Sequence, residues 1–177
     1  MMPREAGVVA AAGAFALDQI SKNFLLYGFN FAAMSPGERV EVTAFFNLVM
    51  VWNRGISYGL FPTESPWGTL VLLVFSLAAA TALGYWMWRA QSPVLAAGLG
   101  LIVGGALGNV IDRVLYGAVA DFFHFHAFGY DWYVFNVADA AITVGVIVLL
   151  ADAFVLPGTK DAEANDAGTN KESGSET

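Results

Sequence analysis

The stretch that decides the fold is residues 67–112, which read WGTLVLLVFSLAAATALGYWMWRAQSPVLAAGLGLIVGGALGNVID. It holds two apolar runs, Trp67–Trp88 and Pro93–Asp112, separated only by Arg89–Ser92. Each run reaches the roughly 20 residues that an α-helix needs to cross a bilayer. The first run has no charged residue, and the tryptophans at both of its ends suit the two membrane interfaces. The stretch therefore predicts two membrane-spanning helices joined as a tight hairpin.

Two further apolar runs flank this hairpin, at about residues 7–28 and 135–156. Each is again long enough for one crossing of a bilayer. The first run follows a basic residue and includes Ala14–Ala16, a pattern that also fits a cleavable signal peptide. Because the run continues to a charged pair at Asp18 and Lys22, we interpret it as a retained first span. The sequence thus predicts four membrane-spanning helices.

The composition supports a membrane protein. Of the 177 residues, 57% are hydrophobic and 13% are charged, with a mean hydropathy of +0.59, whereas a soluble domain carries about 25% charged residues. Cysteine is absent, which excludes disulfides, thiolate nucleophiles and cysteine-ligated zinc. The net charge is −7 and there is no basic stripe, so we expect membrane lipid and not nucleic acid as a partner.

The segments between the spans differ in kind. In the long first connection, residues 39–43 alternate polar and apolar side chains, and residues 45–52 continue as an apolar, aromatic run, which predicts a small sheet on the membrane. About twenty residues between the third and fourth spans form a short second loop. Residues 157–177 are polar and low in complexity, which predicts a disordered tail. We therefore predict an all-α membrane protein with one domain over residues 1–156, a small β-element and a short second loop.

The third span carries small residues at every fourth position, at Ala96, Gly100, Gly104 and Gly108. A stripe of small residues lets the backbone of another helix approach closely within a membrane. We predict that this face is a packing surface without a chemical role.

Four spans place nearly every polar residue that interrupts apolar sequence at one membrane face. These residues are Lys22, Asn53, Asn109, Asp112, Arg113, Asp121, Asn136 and Asp139, and Gly55 lies in the same loop as Asn53. A carboxylate within a span costs roughly 2.5–3.5 kcal/mol or more at the centre, so such residues are usually paired or functional. Asp18 and Lys22, four residues apart on one helix face, predict a structural ion pair. For Asp112, at the predicted span end, we expect interfacial solvation.

Asp121 and Asp139 differ from the other acidic residues of this face. Neither has a Lys or Arg three or four residues away, and both are flanked by apolar residues. Two carboxylates held close together do not both ionise easily, so they share one proton. One then acts as general base on a water, and the other donates a hydrogen bond to a scissile carbonyl. The pair is therefore a candidate catalytic dyad.

Four blocks of the sequence form a recognisable pattern. In chain order they are residues 18–22 (DQISK), 45–61 (FFNLVMVWNRGISYGLF), 104–113 (GGALGNVIDR) followed by 117–122 (GAVADF), and 135–139 (FNVAD). Together they resemble lipoprotein signal peptidase, or signal peptidase II, a family of bacterial membrane aspartyl proteases. The resemblance covers about residues 8–155. The chain departs from it at residues 56–58, where Ile-Ser-Tyr stands in place of the common Ala-Ala-Phe, which could alter the fit of this loop to substrate.

The resemblance implies that Asp121 and Asp139 are the catalytic pair and that no metal or cofactor is needed. It implies site-shaping or substrate-binding roles for Asn53, Gly55, Asn109, Arg113 and Asn136, with Asp18 and Lys22 close by. The implied substrate is a prolipoprotein cut just before a cysteine that bears diacylglycerol, and we expect the enzyme to be a monomer. The implied location is the bacterial inner membrane, with both termini cytoplasmic and the sheet and active site extracytoplasmic.

The charge bias does not settle this orientation. Arg4, Arg89, Lys160 and Lys171 lie on one side of the predicted membrane, against Lys22, Arg39, Arg54 and Arg113 on the other. With four basic residues on each side, the positive-inside rule does not favour either orientation.

Two other motifs suggest other chemistry. Residues 55–59 match the G-x-S-x-G nucleophile elbow, but that elbow needs a strand, a turn and a helix within a large α/β sheet. His124 and His126, the only two histidines, suggest a metal site, but without HExxH or cysteine we favour a solvated or interfacial pair.

A proton- or ion-coupled carrier, or a non-catalytic membrane scaffold, is the alternative from another functional class, because carboxylates within membranes also serve proton relays. A carrier usually has polar sites near the midplane and repeated halves. Polar residues gathered at one face and the lack of an internal repeat favour the protease.

Overall fold

The computed structural model describes residues 1–35, 37–55 and 66–154. It contains four long helices, α1 (Pro3–Asn23), α2 (Pro66–Arg89), α3 (Pro93–Tyr116) and α4 (Val137–Phe154). It also contains four strands, β1 (Arg39–Thr43), β2 (Phe46–Asn53), β3 (Val119–Ala127) and β4 (Tyr130–Phe135). The predicted tail and Ser57 of the elbow motif lie outside the described residues.

Three of the helices are long and apolar enough to cross a membrane. They are Trp67–Arg89, Pro93–Tyr116 and Val137–Phe154, with mean hydropathies of 2.0, 2.0 and 2.1. The outer faces of these helices expose large apolar side chains, such as Phe75 at 70%. The prediction of a mostly helical chain with membrane-spanning helices is confirmed for these three. Helix α1 is not among them, because its last turns are polar.

The third span is longer than the sequence predicts. Helix α3 continues beyond Asp112, and Tyr116 is its last residue. Gly117 caps the helix, with a φ of 69° in the left-handed region. The amide of Gly117 donates to the carbonyl of Arg113, as at a helix C-terminus. Asp112 and Arg113 therefore lie inside the last helical turns. The predicted interfacial solvation of Asp112 is wrong, since only 2% of this residue is exposed.

The helices at the predicted first and fourth spans also differ from the sequence prediction in their boundaries. The α-helical turns of the first run begin at Pro3 and end at Asn23, and a π-helical turn follows over Phe24–Gly28. The fourth helix begins at Val137, two residues later than predicted, because residues 130–135 form a strand.

The second connection, predicted as a short loop, is instead mostly strand over residues 119–135, so the sheet is larger than the predicted β-element. The strands β3 and β4 form a hairpin whose turn contains Phe128 and Gly129, with φ of 53° and 80°. All pairings are antiparallel, and the order β1-β2-β3-β4 makes β3 a central strand. Runs rich in aromatic and β-branched residues favour such pairing over a solvated loop. The sheet thus joins the connection between α1 and α2 to the connection between α3 and α4.

A small core fastens the sheet to the end of α1. Ala120 and Phe122 of β3 are fully buried, and they pack with Leu25, Leu26 and Phe31, which follow α1. Because successive side chains of a strand point to opposite faces, this packing turns residue 121 towards the other side of the sheet.

The helices α1 and α3 pack closely along the small-residue stripe. A Cβ atom at Gly100 would overlap the backbone carbonyl of Gly7, and one at Gly104 would overlap that of Ala11. At Gly108 the same position faces the carboxylate of Asp18. The prediction that this stripe is a packing surface is confirmed, and the close approach brings Asp18 directly against α3.

We expect Gly104→Val to destabilise the protein by at least about 3 kcal/mol, because the added side chain meets a backbone that cannot move aside. The control is Gly84→Val in α2, where an added Cβ has no atom within 4 Å. Thermal unfolding in detergent, followed by circular dichroism, measures both. Equal midpoints for the two variants would contradict the close packing of α1 on α3.

Candidate active site

Polar residues from five elements, α1, β2, α3, β3 and α4, converge where α1 and α3 end and α4 begins. Six of them are at most 8% exposed: Asp18, Lys22, Asn109, Asp112, Asp121 and Asn136. Buried polar groups persist only when they are hydrogen-bonded or paired. The contacts of these residues therefore define the site.

An ion cluster around Lys22 lies at the base of the site. Its Nζ is 2.8 Å from Asp18 Oδ2 and 2.8 Å from Asp112 Oδ2, and it donates to Asn109 Oδ1 at 3.0 Å. The predicted pair of Asp18 and Lys22 is confirmed. Asp112 is a further member that the sequence did not reveal, because its contact with Lys22 joins two helices.

The two carboxylates of this cluster also hold the backbone next to the candidate dyad. Asp18 Oδ1 accepts from the amide of Ala138 at 2.9 Å, and Asp112 Oδ2 accepts from the amide of Ala120 at 3.1 Å. Ala138 immediately precedes Asp139, and Ala120 immediately precedes Asp121. The ion cluster therefore orients the chain at both aspartates at once.

Asn136 connects the two aspartates directly. Its Nδ2 donates to Asp121 Oδ1 at 2.7 Å, and its Oδ1 accepts from the backbone amide of Asp139 at 2.9 Å. Its own backbone amide donates to Asp139 Oδ2 at 3.3 Å. Asn136 immediately precedes α4, where a side-chain oxygen satisfies amides of the first turn. The residue thus starts the helix and bridges the two carboxylates.

Two more asparagines occupy the remaining oxygens of the pair. Asn109 Nδ2 donates to Asp139 Oδ1 at 2.9 Å, while Asn109 Oδ1 accepts from Asn136 Nδ2 at 3.2 Å. Asn53 Nδ2 donates to Asp121 Oδ2 at 2.9 Å. Each carboxylate oxygen of the two aspartates therefore accepts at least one N–H.

The other two predicted site residues are attached to this network less directly. Gly55 contributes its backbone amide, which donates to Asn53 Oδ1 at 3.1 Å. Arg113 donates from Nη1 to the backbone carbonyl of Asn109 at 3.4 Å, and within the described ranges it forms no ion pair. All nine predicted residues thus lie in one network or touch it.

The electrostatics of Asp121 favour its protonated form. Its pKa is raised to about 7, first by burial and second by the negative charge of Asp139. Hydrogen bonds from Asn53 and Asn136, and the charge of Lys22, oppose this increase. Asp121 therefore takes up a proton near neutral pH, as expected for one member of a close pair of carboxylates.

Asp139 faces a cavity beside α4. The cavity has a volume of about 400 Å³ and is lined by Tyr133, Phe135, Asp139, Ala140, Thr143 and Val144. Asp139 is half-buried, in contrast to the buried Asp121. An apolar cavity that reaches one carboxylate can admit a peptide and a water.

The histidines stand apart from this network. His124 Nε2 is 3.3 Å from Asp131 Oδ1, and the rings of His124 and His126 are 5.6 Å apart. No group of three His, Cys, Asp or Glu that could hold a metal occurs in the described part of the chain.

The family model described as "Signal peptidase (SPase) II" matches residues 10–155, which is most of the chain. The chain belongs to the signal peptidase II family. This confirms the resemblance seen in the four sequence blocks. A signal peptidase is a protease, and its apolar helices make this family member a multi-pass membrane protein.

Relatives named lipoprotein signal peptidase agree with the signal peptidase II assignment, and a solved bacterial membrane enzyme is similar in structure. The chain is 50% identical over 159 residues to a "Lipoprotein signal peptidase" of Rhodopseudomonas palustris (strain TIE-1), covering 88% of this chain and 95% of that one. It is 52% identical over 161 residues to the protein of the same name from Methylobacterium radiotolerans, covering 91% and 92%. A solved "Bacterial membrane enzyme structure by the in meso method at 1.9 A resolution" superposes with a TM-score of 0.70 at 28% identity, covering 84% and 92%.

Proposed function

We propose that this protein is a membrane aspartic endopeptidase that removes the signal peptide from diacylglyceryl-modified prolipoproteins, cutting just before the lipidated cysteine. The observation that carries the proposal is the pair of carboxylates, Asp121 and Asp139, bridged by the side chain and backbone of Asn136. Relatives named lipoprotein signal peptidase support the substrate class.

In the proposed mechanism, Asp121 carries the shared proton, because it is the more deeply buried member of the pair. Asp139, which faces the cavity, accepts a proton from a water as that water attacks the scissile carbonyl. Asp121 donates a hydrogen bond to the carbonyl oxygen and stabilises the tetrahedral intermediate. The peptide C–N bond then breaks, a proton passes to the leaving amine, and the signal peptide leaves as a carboxylate.

The surrounding residues act by positioning the pair. Asn53, Asn109 and Asn136 orient the carboxylates through their amide groups, and Gly55 holds Asn53. Lys22 holds its two acidic partners in place, and their carboxylates fix the backbone amides just before the two aspartates. A preorganised site of this kind avoids reorganisation during the reaction. Arg113, near the same network, shapes the site.

We place all four helices across the inner membrane of a bacterium, as a monomer with both termini cytoplasmic and the site at the outer face. Helix α1 is included because it packs along α3, and because its buried charges are paired within the protein. The polar network lies at the helix ends, which fits a surface protease better than a carrier with a midplane site.

We expect cleavage to require the lipid on the substrate, with an unlipidated prolipoprotein cut at least about 100-fold more slowly. The lipid holds the cysteine at the membrane surface, so the scissile bond meets the dyad at a fixed depth. The measurement compares one prolipoprotein with and without its diacylglycerol in reconstituted bilayers. Equal cleavage rates would refute the proposed substrate and indicate a general surface protease.

A further inference from the structure

The side-chain amide of Asn53 has two acceptors. One is Asp121 Oδ2 at 2.9 Å, and the other is the hydroxyl oxygen of Tyr133 at 2.8 Å. The side-chain oxygen of Asn53 is occupied by the amide of Gly55. Because an amide group has two N–H donors in one plane, a partner on one of them fixes the direction of the other.

Tyr133 contacts Asn53 from a strand that the catalytic aspartates do not occupy. Asn53 lies on β2, Asp121 on β3 and Tyr133 on β4, so their contacts cross three strands of the sheet. The ring of Tyr133 lines the cavity beside Asp139, and the residue is 44% exposed. Tyr133 lies outside the sequence blocks that resemble the family, whereas Asn53 and both aspartates lie within them.

We infer that Tyr133 is a positioning residue, whose hydroxyl holds the amide of Asn53 in the orientation that donates to Asp121. The inference rests on the proposed function, because Tyr133 would act by fixing the hydrogen bond from Asn53 to one of the two proposed catalytic aspartates. Without the hydroxyl, the second N–H of Asn53 loses its acceptor, and the amide can rotate away from Asp121. The ring remains to line the cavity, so substrate binding is largely preserved.

The direction of the effect on titration follows from the contacts of Asp121. The hydrogen bond from Asn53 lowers the pKa of Asp121, against the increase caused by burial. Losing or weakening that bond therefore raises this pKa above its value of about 7. The protonated form of Asp121 then persists to higher pH, and the alkaline limb of the rate profile moves upwards.

The test is Tyr133→Phe in the full-length protein. We expect kcat to fall about 3- to 10-fold, as for loss of one hydrogen bond, with KM nearly unchanged and the alkaline limb displaced to higher pH. Tyr130→Phe is the matched control, because Tyr130 is the first residue of β4, next to the hairpin turn, and is 81% exposed. It should leave both kcat and the profile unchanged. An unmoved alkaline limb in Tyr133→Phe would overturn the inference.

A double-mutant cycle tests whether Tyr133 acts through Asn53. In the Asn53→Ala background, Tyr133→Phe should cause no further loss, since the group that it positions is gone. Equal losses in both backgrounds would overturn the inference.

Carboxyl carbon-13 titration by NMR, with Asp121→Asn for assignment, follows Asp121 without any substrate and shows whether Tyr133→Phe raises its pKa. If the unmodified protein cleaves no prolipoprotein but this titration still moves, the proposed function is wrong and the positioning of Asn53 by Tyr133 stands. An unmoved titration would overturn the positioning, whatever the activity.

Discussion

Replacing either member of the dyad, as Asp121→Asn or Asp139→Asn, is expected to lower cleavage of a lipidated prolipoprotein by at least about 10³-fold. An amide can neither take a proton from the attacking water nor hold the proton that the proposed mechanism assigns to the pair. Its oxygen still accepts hydrogen bonds, so most contacts of Asn53, Asn109 and Asn136 have a remaining partner. The loss should therefore be in kcat and not in folding.

The measurement is single-turnover cleavage of one lipidated substrate in bilayers, with circular dichroism and thermal unfolding to verify the fold. Asp131→Asn is the matched control, because Asp131 is 78% exposed on β4 and contacts His124 instead of the dyad. It should retain nearly full activity. Substantial cleavage by either dyad variant would exclude the aspartic mechanism, whatever the fate of the substrate assignment.

Replacing Lys22 with methionine is expected to cost about 3–5 kcal/mol of stability, because it leaves two buried carboxylates without their cation. Both lie 2.8 Å from Nζ, and Lys22, Asp18 and Asp112 are each at most 2% exposed. Methionine nearly preserves the volume of the side chain, so the loss is one of charge. Any protein that still folds should be inactive, since the same carboxylates hold the backbone beside Asp121 and Asp139.

Arg39→Met is the control for removal of a surface cation. Its side chain is 57% exposed and 3.9 Å from Glu41, a pair expected to contribute less than about 1 kcal/mol. Chemical unfolding in detergent compares the two variants. If Lys22→Met and Arg39→Met lost similar stability, or if Lys22→Met remained active, the ion cluster would not support the site as we describe.

The sequence alone determined the features that depend on neighbours along the chain. Length and hydropathy located three spans because one helix satisfies its own backbone and needs only about 20 apolar residues to cross a bilayer. The ion pair of Asp18 and Lys22 could also be predicted from the sequence, because side chains four residues apart on a helix lie next to each other. The family could be identified from four short blocks, because their order and spacing are linear properties of the chain.

Contacts between distant segments required the tertiary structure. Residues 119–135 were predicted as a loop from the sequence. Strand β3 within them is stabilised by pairing with β2, which lies some seventy residues earlier in the chain, so no local pattern indicated it. Asp112 was predicted to be solvated at a helix end. In the structure, the close packing of α1 on the glycine stripe of α3 buries Asp112 in contact with Lys22. No local pattern connects Tyr133 to Asn53, because their contact exists only after three strands align. The charged groups could thus be identified from the sequence, and the packing of helices and strands decided which of them contact a common cation or a common asparagine.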